Sequence, residues 1–201
     1  MEADLKIQAT IAVGMLRTVA LSSSAFEYIG DALRLVQDVD FIMTSEGVPV
    51  NAVERLTSIH RGPAIDSITL ACREVAELEL LVDAAIVILS RWLEPRQVGL
   101  QGLPAAAWRV RVDELSAAVV RAQYLLEQAA ASCDRAAGVL NVATLAWPNL
   151  PVHLRDAWMK DGRRWLISTR DNLNNARDSL TKACAAAVGA RDAAKFCIDL
   201  L

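Results

Sequence analysis

At 201 residues, with 54% hydrophobic residues and a mean hydropathy of +0.28, the chain can bury a core that holds without metal or disulfide, because a domain of this size removes roughly 70% of its unfolded surface from water. The apolar share exceeds the roughly 45–50% usual for soluble domains, and much of the excess is alanine, the best helix former. A net charge of −3 and a pI near 5.4 exclude the basic footprint expected of a nucleic-acid-binding protein and give no attraction to anionic membranes.

Proline and glycine divide the chain into long proline-free stretches, which suits helices because an interior proline costs about 3 kcal/mol. The first segment, from about Glu2 to Met43, repeats apolar residues at three-and-four spacing through Leu5, Ala12, Met15, Val19, Phe26, Ile29, Leu33, Val36 and Met43, the mark of one buried helical stripe. Ser22, Ser23 and Ser24 interrupt it and predict a kink or break. The connection from Thr44 to Arg61 contains Asn51, which suits the cap of a short helix, Ala52–His60.

The second long segment runs from Pro63, well placed at a helix start, to Glu94, where Pro95 forces the stop. Its stripe is Ile65, Ile68, Cys72, Val75, Val82, Ile86, Leu89 and Leu93, with Leu78, Leu81, Ala85 and Ile88 beside it. This apolar breadth predicts the most buried helix.

The third segment, about Pro104 to Ala146, carries a heptad: Val112, Val119, Leu126, Cys133 and Leu140 alternate with Leu115, Ala122, Ala129, Ala136 and Ala143. The fourth, about Pro151 to Leu200, repeats Leu166, Leu173, Leu180, Ala187, Ala194 and Leu201 against Thr169, Ala176, Ala183, Ala190 and Cys197. Sustained heptads with one large and one small seam position predict close helix packing at about +20°. The expectation is an all-α fold: one domain over residues 1–201, an elongated up-down-up-down four-helix bundle with a short extra helix in the first connection.

Chemistry-bearing motifs are scarce. The two histidines, His60 and His153, have Thr57 and Leu150 three residues before them, so neither belongs to a Glu-x-x-His di-iron pair. Cys72, Cys133, Cys184 and Cys197 are widely spaced, with no Cys-x-x-Cys; Cys133 and Cys197 fall on heptad seams and Cys72 on an apolar stripe, where they act as small hydrophobes rather than ligands or nucleophiles. No Gly-x-Ser-x-Gly, phosphate-binding loop or Gly-x-Gly-x-x-Gly occurs. No metal, no cofactor and no enzymatic activity are expected.

Three features merit comparison with a structure. Asp40 and Glu79 fall at positions the periodicity buries, where a carboxylate needs a partner; over long helices the stripe drifts, and that drift would return both to solvent. Arg155 to Arg177 interleaves Trp158, Lys160, Arg163, Arg164, Trp165 and Arg170 with Asp156, Asp161 and Asp171, a pattern favouring a solvated face over a nucleic-acid platform. Connectivity gathers Phe41, His60, Trp147, His153 and Trp158 toward one bundle end, where tryptophans either plug the bundle or line a pocket for a small apolar ligand.

The stretches MEADLKIQATIAVGMLR, FIMTSEGVPV, HRGPAIDSITLACREV and SRWLEPRQVGLQGLP resemble an uncharacterised family of cereal grasses known only as a domain of unknown function. That resemblance implies a plant protein and brings no activity or site with it. Plant invertase and pectin-methylesterase inhibitors are also four-helix bundles with four cysteines, but they are secreted and pair two cysteines near the N-terminus, whereas the first cysteine here is Cys72.

The sequence therefore points to a non-catalytic interaction or scaffold protein, expected in the cytoplasm because Glu2 and Asp4 stand where a signal peptide carries basic residues. A protein partner or a second copy is expected to cover part of the apolar surface, with the long fourth heptad as the first choice for self-association. A membrane-active bundle using Ile7–Leu21 and Leu78–Leu93, and a carrier of a small apolar ligand, are the alternatives.

Overall fold

The computed structural model describes residues 2–44, 50–93, 103–146, 149 and 151–200. They form an all-α bundle of five helices: α1 (Glu2–Ala20), α2 (Ser24–Thr44), α3 (Val50–Leu93), α4 (Leu103–Ala146) and α5 (Val152–Leu200). The serine triplet does break the first segment. The Leu21 amide donates to the carbonyls of both Arg17 and Thr18, and the Ser22 amide donates to Val19, so α1 tightens and stops. α2 restarts at Ser24 with Glu27 in its first turn, where a carboxylate complements the helix dipole.

The short helix expected at Ala52–His60 is not separate. α3 begins at Val50 and runs unbroken through Gly62 and Pro63 to Leu93. Proline strains the preceding residue through contact with its Cβ, and glycine has none, which lowers the cost of carrying the helix through. Asn51 thus lies within α3, its side chain outside the described residues.

The chain divides into two compact units. The first contains residues 1–23, 74–123 and 178–201, so its helices are α1, the end of α3, the start of α4 and the end of α5. The second contains residues 24–73 and 124–177: α2, the start of α3, the end of α4 and the start of α5. Each unit is thus four helical segments around its own core.

Both predicted heptads point inward at every position described, the Ala143 side chain and Leu201 lying outside the described residues. On α4, Val112, Leu115, Val119, Ala122, Leu126, Ala129, Cys133, Ala136 and Leu140 are all buried. On α5 the same holds from Leu166 and Thr169 through Leu173, Ala176, Leu180, Ala183, Ala187 and Ala190 to Ala194 and Cys197. Thr169 is satisfied by donating its hydroxyl to the Trp165 carbonyl at 2.9 Å. In the second unit α4 and α5 run antiparallel: Ser132 meets Ser168 at 3.2 Å, Arg135 lies over the Trp165 ring at 4.8 Å, and Leu140 packs on Gly162.

α3 departs from its predicted stripe. Its buried seam is Ala64, Ile68, Ala71, Val75, Leu78, Val82, Ala85, Leu89 and Trp92, again a large-and-small heptad, while Ile65, Cys72 and Ile86 are only half-buried. Alanine takes the seam because close backbone approach rewards a small residue. α3 is also not sheathed all round, since Leu80 and Val87 stand at least half exposed.

Candidate interaction surfaces

α1 and the turn that follows it carry an apolar outer face. The inner stripe of α1, Ala9, Ala12, Leu16 and Val19, is buried. The opposite stripe follows the same three-and-four spacing: Ile7 is 58% exposed, Ile11 53% and Leu21 68%, with Gly14 and Thr18 between them. The Thr10 hydroxyl donates to the Lys6 carbonyl and that of Thr18 to the Gly14 carbonyl, so their methyl groups are left to face outward. Asp4, three residues before Ile7, opens the stripe; no further charge falls on it, and Lys6 and Arg17 stand off to its sides. From Ile7 onward the face is uncharged and flanked by charges, which suits packing against another helix.

α4 and α5 of the first unit enclose a surface groove of about 480 Å³. Its floor includes Ala117, Ala118, Ala185 and Ala186, and its rim Arg111, Glu114, Arg121 and Lys182. Arg111 packs on Gly189 and donates to Glu114 at 2.8 Å. The groove is the surface consequence of the alanine-rich seam: small side chains bring the two backbones together and leave long charged side chains, three basic and one acidic, standing at the edges.

The fourth-helix seam expected to mediate self-association is consumed inside the units, as its burial shows. The large hydrophobics that α5 leaves exposed among the described residues are Leu154, Val188, Phe196 and Leu200. By length and composition alone, the stretch Ala3–Thr44 holds one window apolar enough to cross a membrane, with a mean hydropathy of 1.3 and 28% of it buried.

Of the predicted pocket residues, Phe41 on α2 is 72% exposed, His153 on α5 is exposed and Trp158 is half-buried. Trp147 and the side chain of His60 lie outside the described residues. The surface depression on this part of α5 is instead lined by residues such as Lys160, Asp161, Arg163 and Arg164.

Asp40 and Glu79 are both half-buried, between the two expectations. Asp40 accepts from Arg163 Nε at 2.9 Å, which joins α2 to α5 in the second unit. The basic-aromatic run is laced with ion pairs: Arg164 reaches Asp161 and Arg170 reaches Asp171, each at 3.2 Å. Arg164 and Arg135 both stack on Trp165, so Arg163, Arg164 and Arg170 are each engaged by a carboxylate or a ring, as on a solvated face.

The four cysteines are thiols. Burial pushes the Cys72 thiol above its ordinary value of 9.0, helped by the negative charge of Glu127, and burial alone raises Cys184 and Cys197. Cys184 also donates to the Val19 carbonyl at 3.6 Å. A raised thiol stays protonated in the folded state while the unfolded chain ionises, so these groups leave stability unchanged below pH 9 and reduce it above that value. The urea midpoint should therefore fall between pH 9 and 10, and fall less when all three are replaced by alanine. Equal falls in both proteins would show that the thiols are solvated. Among the described residues no three His, Cys, Asp or Glu side chains gather as metal ligands.

No protein-family model matches this chain, and no curated protein matches it in sequence.

Proposed function

We propose that this chain is a non-catalytic helical-bundle interaction protein, a scaffold that binds helices of other chains, copies of itself included. The observation that carries the reading is α1, apolar on two opposite faces, one packed into the core and one open. A helix that needed only to fold would gain nothing from Ile7, Ile11 and Leu21 in water, whereas each fully buried side chain of this size contributes roughly 1.5–3 kcal/mol. A cytoplasmic location and a plant origin belong to the same reading.

Light scattering over rising protein concentration tests it. The apparent mass of the unmodified protein should climb, and Ile7→Glu with Ile11→Glu should lower it at every concentration while the helical circular dichroism stays the same. An unmodified protein that remains a monomer throughout, or a double variant that associates equally well, contradicts the reading.

A second reading has one observation in its favour: the apolar window within Ala3–Thr44 would let α1 lie on lipid, although it lacks the basic flank that usually accompanies such binding. Flotation with neutral and anionic vesicles separates the two. Co-flotation lost in the same double variant would favour the membrane, and no flotation with either lipid removes that option.

A further inference from the structure

Two outer faces of the first unit match each other in charge and spacing, and we infer that the outer face of α3 docks in the α4/α5 groove of a second copy of this chain. The inference rests on the interaction reading above and goes beyond it, because it uses neither Ile7 nor Ile11.

The groove rim holds three cations, Arg111, Arg121 and Lys182, against one acid, Glu114. The outer face of α3 has the opposite bias. Leu80 and Val87 lie two turns apart on one exposed stripe, Glu77 and Asp83 are exposed on either flank of Leu80, and Arg91 is exposed at the far end. At about 1.5 Å rise per residue, Asp83 and Arg91 are about 12 Å apart along α3, and Arg121 and Glu114 about 10 Å apart along α4. Laid antiparallel to α4, α3 of a second copy therefore sets Asp83 against Arg121 and Lys182, and brings Arg91 level with the Arg111–Glu114 ion pair, where it competes for the Glu114 carboxylate. Val87, midway between, then meets Ala117 and Ala118, where only small side chains stand in its way.

Both faces are on the outside of one compact unit, so the contact forms between copies. The face and the groove are unlike, so each copy offers one of each and the contact repeats head to tail. Its length is about two helical turns, which places it among small, concentration-dependent interfaces, and added salt weakens it because the matched charges are exposed.

The test uses full-length protein carrying Ile7→Glu and Ile11→Glu, so that α1 is silent. Into this background go either Arg121→Glu with Lys182→Glu, which reverses the groove, or Glu77→Lys with Asp83→Lys, which reverses the face. Sedimentation velocity at low salt and rising concentration should show the background protein growing beyond a dimer and each reversed protein remaining a monomer. An equimolar mixture of the two reversed proteins should assemble again, because the intact face meets the intact groove and the reversed face is complementary to the reversed groove. If a reversed protein misfolds by circular dichroism, Arg121→Gln and Asp83→Asn give the same pattern at smaller amplitude. A background protein that stays monomeric, a reversed protein that assembles unaided, or a mixture that stays monomeric each overturns the inference. If Ile7→Glu and Ile11→Glu change nothing while the mixture reassembles, the α1 reading fails and this contact stands.

Discussion

Replacing Leu180 with alanine should destabilise the protein by about 2–5 kcal/mol, the range for emptying a leucine-sized site in a packed core. Leu180 is fully buried on the α5 heptad, and its seam neighbours Ala176, Ala183 and Ala187 are equally inaccessible. Those alanines are too short to collapse into the space, so the cavity persists and the cost should fall in the upper part of the range. Urea denaturation followed by circular dichroism at 222 nm reads the change. A loss below about 1 kcal/mol would mean that the seam is loosely packed or that Leu180 reaches solvent.

Gly162→Ala should destabilise by about 1–3 kcal/mol, although alanine is the better helix former by about 1 kcal/mol. The added Cβ would stand 2.9 Å from Leu140 Cδ2 and 3.1 Å from its Cγ. Leu140 cannot swing away freely, because it is buried in the second unit's cluster with Val36, Val39, Ala136 and Leu166. Gly14→Ala is the control of opposite sign. A Cβ there meets nothing within 4 Å, so helix propensity alone acts and the monomer should gain up to about 1 kcal/mol. Chemical denaturation of the two variants side by side checks both signs. Stabilisation in both would place Gly162 on an open surface.

These two results depend on the part of the fold most readable in the sequence. The heptads of α4 and α5 were legible because a period of seven holds across Leu and Ala alike, and the described seam residues are buried without exception. The α3 register was less legible for the same physical reason seen from the other side. Ile65, Cys72 and Ile86 look more hydrophobic than Ala64, Ala71 and Ala85, but the seam selects for close approach rather than for apolar area, and the alanines went inside. Pro63 read as a helix start because the relief offered by Gly62 depends on local backbone geometry, which spacing alone does not encode.

The candidate surfaces were legible only in part. The apolar character of Ile7–Leu21 was visible, but a one-dimensional pattern cannot tell which of two apolar stripes meets the core; that depends on which other helices share the unit. The groove was invisible for a related reason: Arg111, Arg121 and Lys182 are ordinary surface cations until α4 and α5 stand side by side. Phe41 illustrates the converse, an aromatic that connectivity assigned to a pocket and that the structure leaves exposed.

The most direct test of this account is site-specific thiol labelling at neighbouring positions on α1, read peptide by peptide by mass spectrometry. Cysteine placed by Ile11→Cys should react quickly in dilute protein and progressively more slowly as concentration rises and a second copy covers the outer stripe. Cysteine placed by Ala12→Cys, one residue away on the inner stripe, should react slowly at every concentration. Equal protection of both positions in dilute protein, or an Ile11→Cys rate that does not change with concentration, would contradict the claim that α1 folds with one face and associates with the other.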